Sequence, residues 1–66
     1  MWDERSVLAE LRQRGQEEVE QVYRYPDSEA AGVVIGGTEY VVRNVPANEL
    51  PTEAARLIAK ELYRTA

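Results

Sequence analysis

A chain of 66 residues with neither a cysteine nor a histidine has to hold itself together without staples. A domain of this size buries only about 60% of the surface its unfolded form exposes. Small domains commonly make up the difference with disulfides or a structural metal. Here no disulfide can form, no zinc site of the usual ligand set can be built, and there is no thiolate nucleophile and no imidazole base. Stability must come from one compact apolar core or from a partner. A hydrophobic share of 44% and a charged share of 30% are those of a globular chain, not of a disordered one. No metal and no cofactor is implied.

The charge is uneven. Residues 1–29 carry eight acids against four arginines, a net of −4, whereas residues 30–66 carry four of each sign and balance. An acidic surface disfavours generic binding to nucleic acid or anionic membranes, both of which are led by positive charge. No apolar run approaches the roughly 18 residues that span a bilayer, and Trp2-Asp3-Glu4 is the wrong opening for a signal peptide. A soluble, cytoplasmic protein is the expectation.

The first element reads as a helix. Asp3 is a good N-cap with Glu4 behind it in the first turn, and Trp2 stands at the staple distance from Val7. Val7, Leu8 and Leu11 form an apolar stripe, with Glu10, Arg12 and Arg14 toward water. Gly15 is the natural residue beyond the end. Residues 16–25 support two readings. Strict alternation places Val19, Gln21, Tyr23 and Tyr25 on one face of a strand, opposite Glu18, Glu20, Val22 and Arg24. A helical period instead continues the first stripe through Val19, Val22 and Tyr23, at a cost of about 1 kcal/mol for a mid-helix Gly15. The strand is favoured because tyrosines precede Pro26 and because the remaining two strands alone would be marginal.

Pro26-Asp27-Ser28-Glu29 has the composition of a turn. Ala31 to Ile35 is a short apolar strand, Gly36-Gly37 a tight hairpin turn, and Thr38 to Val45 the return strand, closed by Pro46. Tyr40 and Val42 share one face of it and Val41, Arg43 and Val45 the other. A last helix begins near Leu50-Pro51-Thr52, proline being free to occupy the first turn. Ala54, Ala55, Ile58, Ala59 and Leu62 face the core, and the helix frays at Thr65-Ala66. Residues 1–66 therefore predict a single α+β domain of order α-β-β-β-α. Its three-stranded antiparallel meander carries two helices packed on one face, and Val22 and Arg24 fall on the other, partly open face.

This layout resembles the double-stranded-RNA-binding domain. The likeness runs through Leu8-Ala9-Glu10-Leu11, Gly36-Gly37, Glu53-Ala54 and Ala59-Lys60. The resemblance implies the fold. In that family, lysines at the start of the last helix grip phosphates, and the matching stretch here, Leu50-Pro51-Thr52-Glu53, has none, which argues against the family's activity.

Three groups of residues are candidates for contact. Glu17, Glu18 and Glu20 form the densest single-sign patch and could imitate a phosphate track before a basic protein groove; their plainer role is a solvated strand edge that resists aggregation. Tyr23, Tyr25 and Tyr40 are read as lining one sheet face, where tyrosines serve interfaces or merely cap a small core. Arg56, Lys60 and Arg64 recur every four residues as a basic stripe able to meet phosphate, or simply solvated. Catalysis has little to use: Ser6 and Ser28 lack a base, and no carboxylate pair is confined. The expected function is a non-enzymatic protein-binding module, an acidic inhibitor or regulator, acting as a monomer or symmetric homodimer. Nucleic-acid binding of the double-stranded-RNA-binding type and a designed or purely structural scaffold are the alternatives.

Overall fold

The computed structural model describes residues 1–65, Thr65 by its backbone alone. Helix α1 (Glu4–Gln13) leads into strands β1 (Val19–Tyr25), β2 (Ala30–Ile35) and β3 (Thr38–Arg43), and helix α2 (Pro51–Thr65) closes the chain. The strands pair antiparallel in the order β1-β2-β3. Residues of both helices share one buried cluster with residues of all three strands, so the helices cover one face of the sheet and leave the other open. The predicted α-β-β-β-α order is the observed one, and the ambiguous segment is a strand. The predicted fraying does not include the backbone of Thr65, which is helical; Ala66 lies outside the described residues.

Local chemistry accounts for α1. The Asp3 side chain accepts a hydrogen bond from the Ser6 N–H at 3.0 Å, satisfying one of the amides a helix start leaves unpaired. At the other end Gly15 takes φ +96°. Its N–H bonds the Arg12 carbonyl at 3.1 Å and the Gln16 N–H bonds the Leu11 carbonyl at 2.9 Å, the paired closure that a left-handed glycine makes possible. The Ser6 hydroxyl and backbone N–H hold the Asp3 carboxyl below its ordinary value of 3.8. A lowered folded-state value contributes stability above the ordinary value and loses it as pH falls through the lower one. Asp3→Ala is therefore expected to lower the thermal unfolding midpoint by a few degrees at neutral pH and by less in acid, whereas Asp3→Asn keeps most of the cap. Circular-dichroism melts at several pH values check this; an equal loss at all pH values would refute the cap's charge dependence.

The sheet departs from the strict alternation expected of β1. Val19 pairs with Ile35 and Gln21 with Val34, so Glu20 is an extra residue and the register shifts there. This bulge brings Val19 and Val22 to the same side, and both are buried against the helices. The sequence reading placed Val19 with Tyr23 and Tyr25, and Val22 on the open face; both placements are corrected by this one inserted residue. Arg24 also lies on the helix side, its guanidinium 5.9 Å from the centre of the Trp2 ring.

The return strand is shorter than expected. It ends at Arg43, because Asn44 adopts φ 64°, a left-handed conformation that asparagine tolerates better than most residues. The turn redirects Val45: its N–H bonds the Glu29 carbonyl at 2.9 Å and its side chain enters the core. Val45 thus does not share the outer face of Val41 and Arg43. Gly36 and Gly37 take φ 59° and 80°, as the two-residue hairpin turn requires. In α2, Pro51 stands at the first helical position, the Leu50 carbonyl receives the Ala54 N–H at 2.9 Å, and Ala54, Ala55 and Ile58 are fully buried. The two adjacent alanines let α2 approach its neighbours closely.

Candidate functional site

The face of the sheet away from the helices is built from the residues that alternate with the core. Following the register outward from buried Val22, Val33 and Val42, it carries Gln21, Tyr23 and Tyr25 from β1, Ala30, Gly32 and Val34 from β2, and Glu39, Val41 and Arg43 from β3. The centre is low because Gly32 has no side chain. Tyr25 bridges that gap: its hydroxyl donates to Glu39 Oε2 across Gly32, and a Cβ added at Gly32 would stand 2.8 Å from the Tyr25 hydroxyl. The bond to Glu39 keeps the Tyr25 phenol protonated to higher pH than its ordinary 10.0. Tyr23 donates to Gln21 Oε1. Val41, at 54% exposure, and Tyr23, at 38%, are the large apolar surfaces this face offers.

The three candidate tyrosines do not share a face. Tyr40 pairs with Val33 and therefore points to the helix side, where it remains 42% exposed. There it lines a groove with Glu61, Leu62 and Arg64 of α2. Tyr23 and Tyr25 alone belong to the open face.

The acidic candidates gather at the hairpin end of the sheet. Glu17 and Glu18 project to solvent in the turn before β1. Glu20 has a structural task, its Oε1 accepting the Gly37 N–H at 3.0 Å and so tying the bulge to the β2–β3 turn. Glu39 stands at the same end of the open face, in register with Val34 and Gln21. Sequence reasoning missed Glu39, Val41 and Gly32; the alternation in Thr38–Arg43 would have found the first two once the inner face was assigned through Val42.

The basic stripe is largely neutralised on its own helix. Arg56 pairs with Glu53 at 2.9 Å and Arg64 with Glu61 at 3.4 Å, so the surface presents three bases among two acids rather than a uniform positive track. Among the described residues no cluster of acids is arranged to hold a metal ion, no polar or charged residue is buried, and no helix is long and apolar enough to cross a membrane. No protein-family model matches the chain, and neither a curated protein nor a solved structure matches it significantly.

Proposed function

We propose that this chain is a non-enzymatic protein-binding module that occupies a basic surface on a cytoplasmic partner, as an inhibitor or regulator does. The observation that carries the reading is the uncovered sheet face, which sets Tyr23, Tyr25 and Val41 beside an acidic end formed by Glu17, Glu18, Glu20 and Glu39. Amphipathic tyrosines supply contact area at little entropic cost, and a rim of one charge steers an oppositely charged partner and speeds association. A partner that ordinarily binds nucleic acid fits this chemistry, because its groove is positive and lined for a polyanion. Tyr40 lies outside this surface. The double-stranded-RNA-binding alternative is weakened by the Glu53 and Glu61 ion pairs, which reduce the field of Arg56 and Arg64.

Affinity capture from a lysate of the cells that express the chain tests the reading. Tyr23→Ala is expected to weaken retention of the partner by about tenfold or more, the size of an interface anchor's loss. The triple change Glu17→Gln, Glu18→Gln, Glu20→Gln should slow association and flatten its salt dependence. The amide oxygen that Glu20→Gln introduces can still accept the Gly37 N–H, so the fold is preserved. A partner indifferent to both sets of changes would exclude this surface. Binding to duplex RNA that weakens steeply with salt would favour the alternative instead.

A further inference from the structure

The two edges of the sheet are finished differently. In an antiparallel ladder, successive residues aim their backbone groups alternately at the neighbouring strand and away from it. Two of the outward groups of β1 are met by α1. The Arg24 N–H donates to Glu4 Oε2 at 2.8 Å, and the Val19 carbonyl accepts from the Arg12 guanidinium at 3.2 and 3.4 Å. On β3, the hairpin closes on the Ile35–Thr38 pair, so Thr38, Tyr40 and Val42 bond to β2, while Glu39, Val41 and Arg43 turn their N–H and C=O groups outward. None of these outward groups has a partner among the described residues. The strand also lacks two of the usual guards of an open edge, having no proline and no bulge, and its two charges are of opposite sign.

We propose that β3 pairs with β3 of a second copy, antiparallel about a twofold axis through Val41, joining two sheets into one of six strands. The charges select this register. With the axis at Val41, Glu39 lies opposite Arg43 of the second copy and Arg43 opposite its Glu39, while the two valines face each other. Moving the axis to Glu39 or to Arg43 sets like charges together. Moving it to Tyr40 or Val42 sets Val41 against a charged residue. The axis at Val41 also pairs residues 39–43, all of β3 but Thr38, and places Tyr40 opposite Val42 on the helix side.

The side chains are available for it. Glu39 uses Oε2 for Tyr25 and keeps Oε1, and Arg43 has no ion pair among the described residues. Exposed Val41 becomes a cross-strand pair of β-branched residues, a favourable neighbour in a sheet. The open groove beside Tyr40 and Leu62 leaves room along this edge. The self-pairing needs no other protein, although it engages Val41 and Glu39 of the surface proposed above, and it would double the open face rather than cover it.

Sedimentation equilibrium over a wide range of concentration tests the pairing without reference to any other protein. The wild type is expected to reach a monomer–dimer equilibrium. Val41→Pro removes one outward N–H that bonds nothing within the monomer, an edge position where proline is tolerated, and is expected to be a folded monomer by circular dichroism. Glu39→Arg and Arg43→Glu should each weaken self-association by about tenfold or more, since each sets like charges opposite. Mixed together, these two variants restore unlike pairs on both sides of the axis and should form a heterodimer tighter than either homodimer. A wild type that stays monomeric at the highest concentration would overturn the proposal, as would a Val41→Pro protein that dimerises like wild type. So would a mixture that associates no better than its components, and this outcome is decisive even if the proline variant fails to fold.

Discussion

Replacing Trp2 with alanine is expected to leave most of the protein unfolded at room temperature. Trp2 precedes the first helix, yet it is the largest fully buried side chain, with 1% exposure. Its indole N–H donates to the Pro46 carbonyl at 3.1 Å and its backbone N–H to the Ala47 carbonyl at 3.3 Å. The ring therefore ties the amino-terminal end to the connection between β3 and α2 and packs in the same cluster as Val7, Val45 and Ile58. Truncating a buried tryptophan costs about 3–5 kcal/mol, and a core of this size rarely supplies more than about 3–5 kcal/mol in total. The two magnitudes are equal, so the loss consumes the stability. Trp2→Phe keeps most of the apolar volume and abandons the Pro46 bond, for a cost of about 1–3 kcal/mol. Urea titrations followed by circular dichroism separate the cases. A Trp2→Ala protein with a cooperative transition near that of the wild type would show that the ring is not the keystone its burial implies.

The second large effect contrasts two residues that strict alternation would treat alike. Val19→Asp is expected to abolish folding, and Gln21→Asp to change stability by no more than about 0.5 kcal/mol. Val19 is fully buried and Gln21 exposed, because the extra residue Glu20 separates them. An aspartate at 19 forfeits about 1.5–3 kcal/mol of apolar burial and leaves a carboxyl group in an apolar core, for a further penalty of several kcal/mol. A chain lacking Glu20 serves as the control: Val19 and Val22 then alternate regularly and both still face inward, so the shortened protein should fold. Thermal melts of the three variants decide the matter. Tolerance of Val19→Asp, or loss of the fold on removing Glu20, would contradict the bulged register.

Features of the fold that depend on neighbouring residues were legible from the chain. Asp3, Gly15, Gly36-Gly37 and Pro51 each impose a backbone choice that needs nothing distant, and each stands where it was expected. The stripes Val7–Leu11 and Ala54–Ala55–Ile58 were equally clear, because helical periodicity survives in a sequence without reference to what covers it. The surface was less legible. The acidic and basic groups could be named, but not that Glu20 is committed to Gly37 or that Arg56 and Arg64 are committed to acids on their own helix. The tyrosines were divided between two faces by a register that no single strand encodes.

The chain by itself determined the order of elements, the absence of thiol and imidazole chemistry, and the acidic bias of its first half, since these follow from residue identity and from bonds spanning a few positions. The tertiary structure decided which side of each strand is inside, where β3 stops, and which edge of the sheet stays open. Those outcomes hang on one bulge residue, one left-handed asparagine and the reach of Glu4 and Arg12 across to β1. The physical reason is that alternation has a period of two: a single inserted residue reverses the face of everything beyond it, and only pairing with a neighbouring strand reveals where the insertion lies.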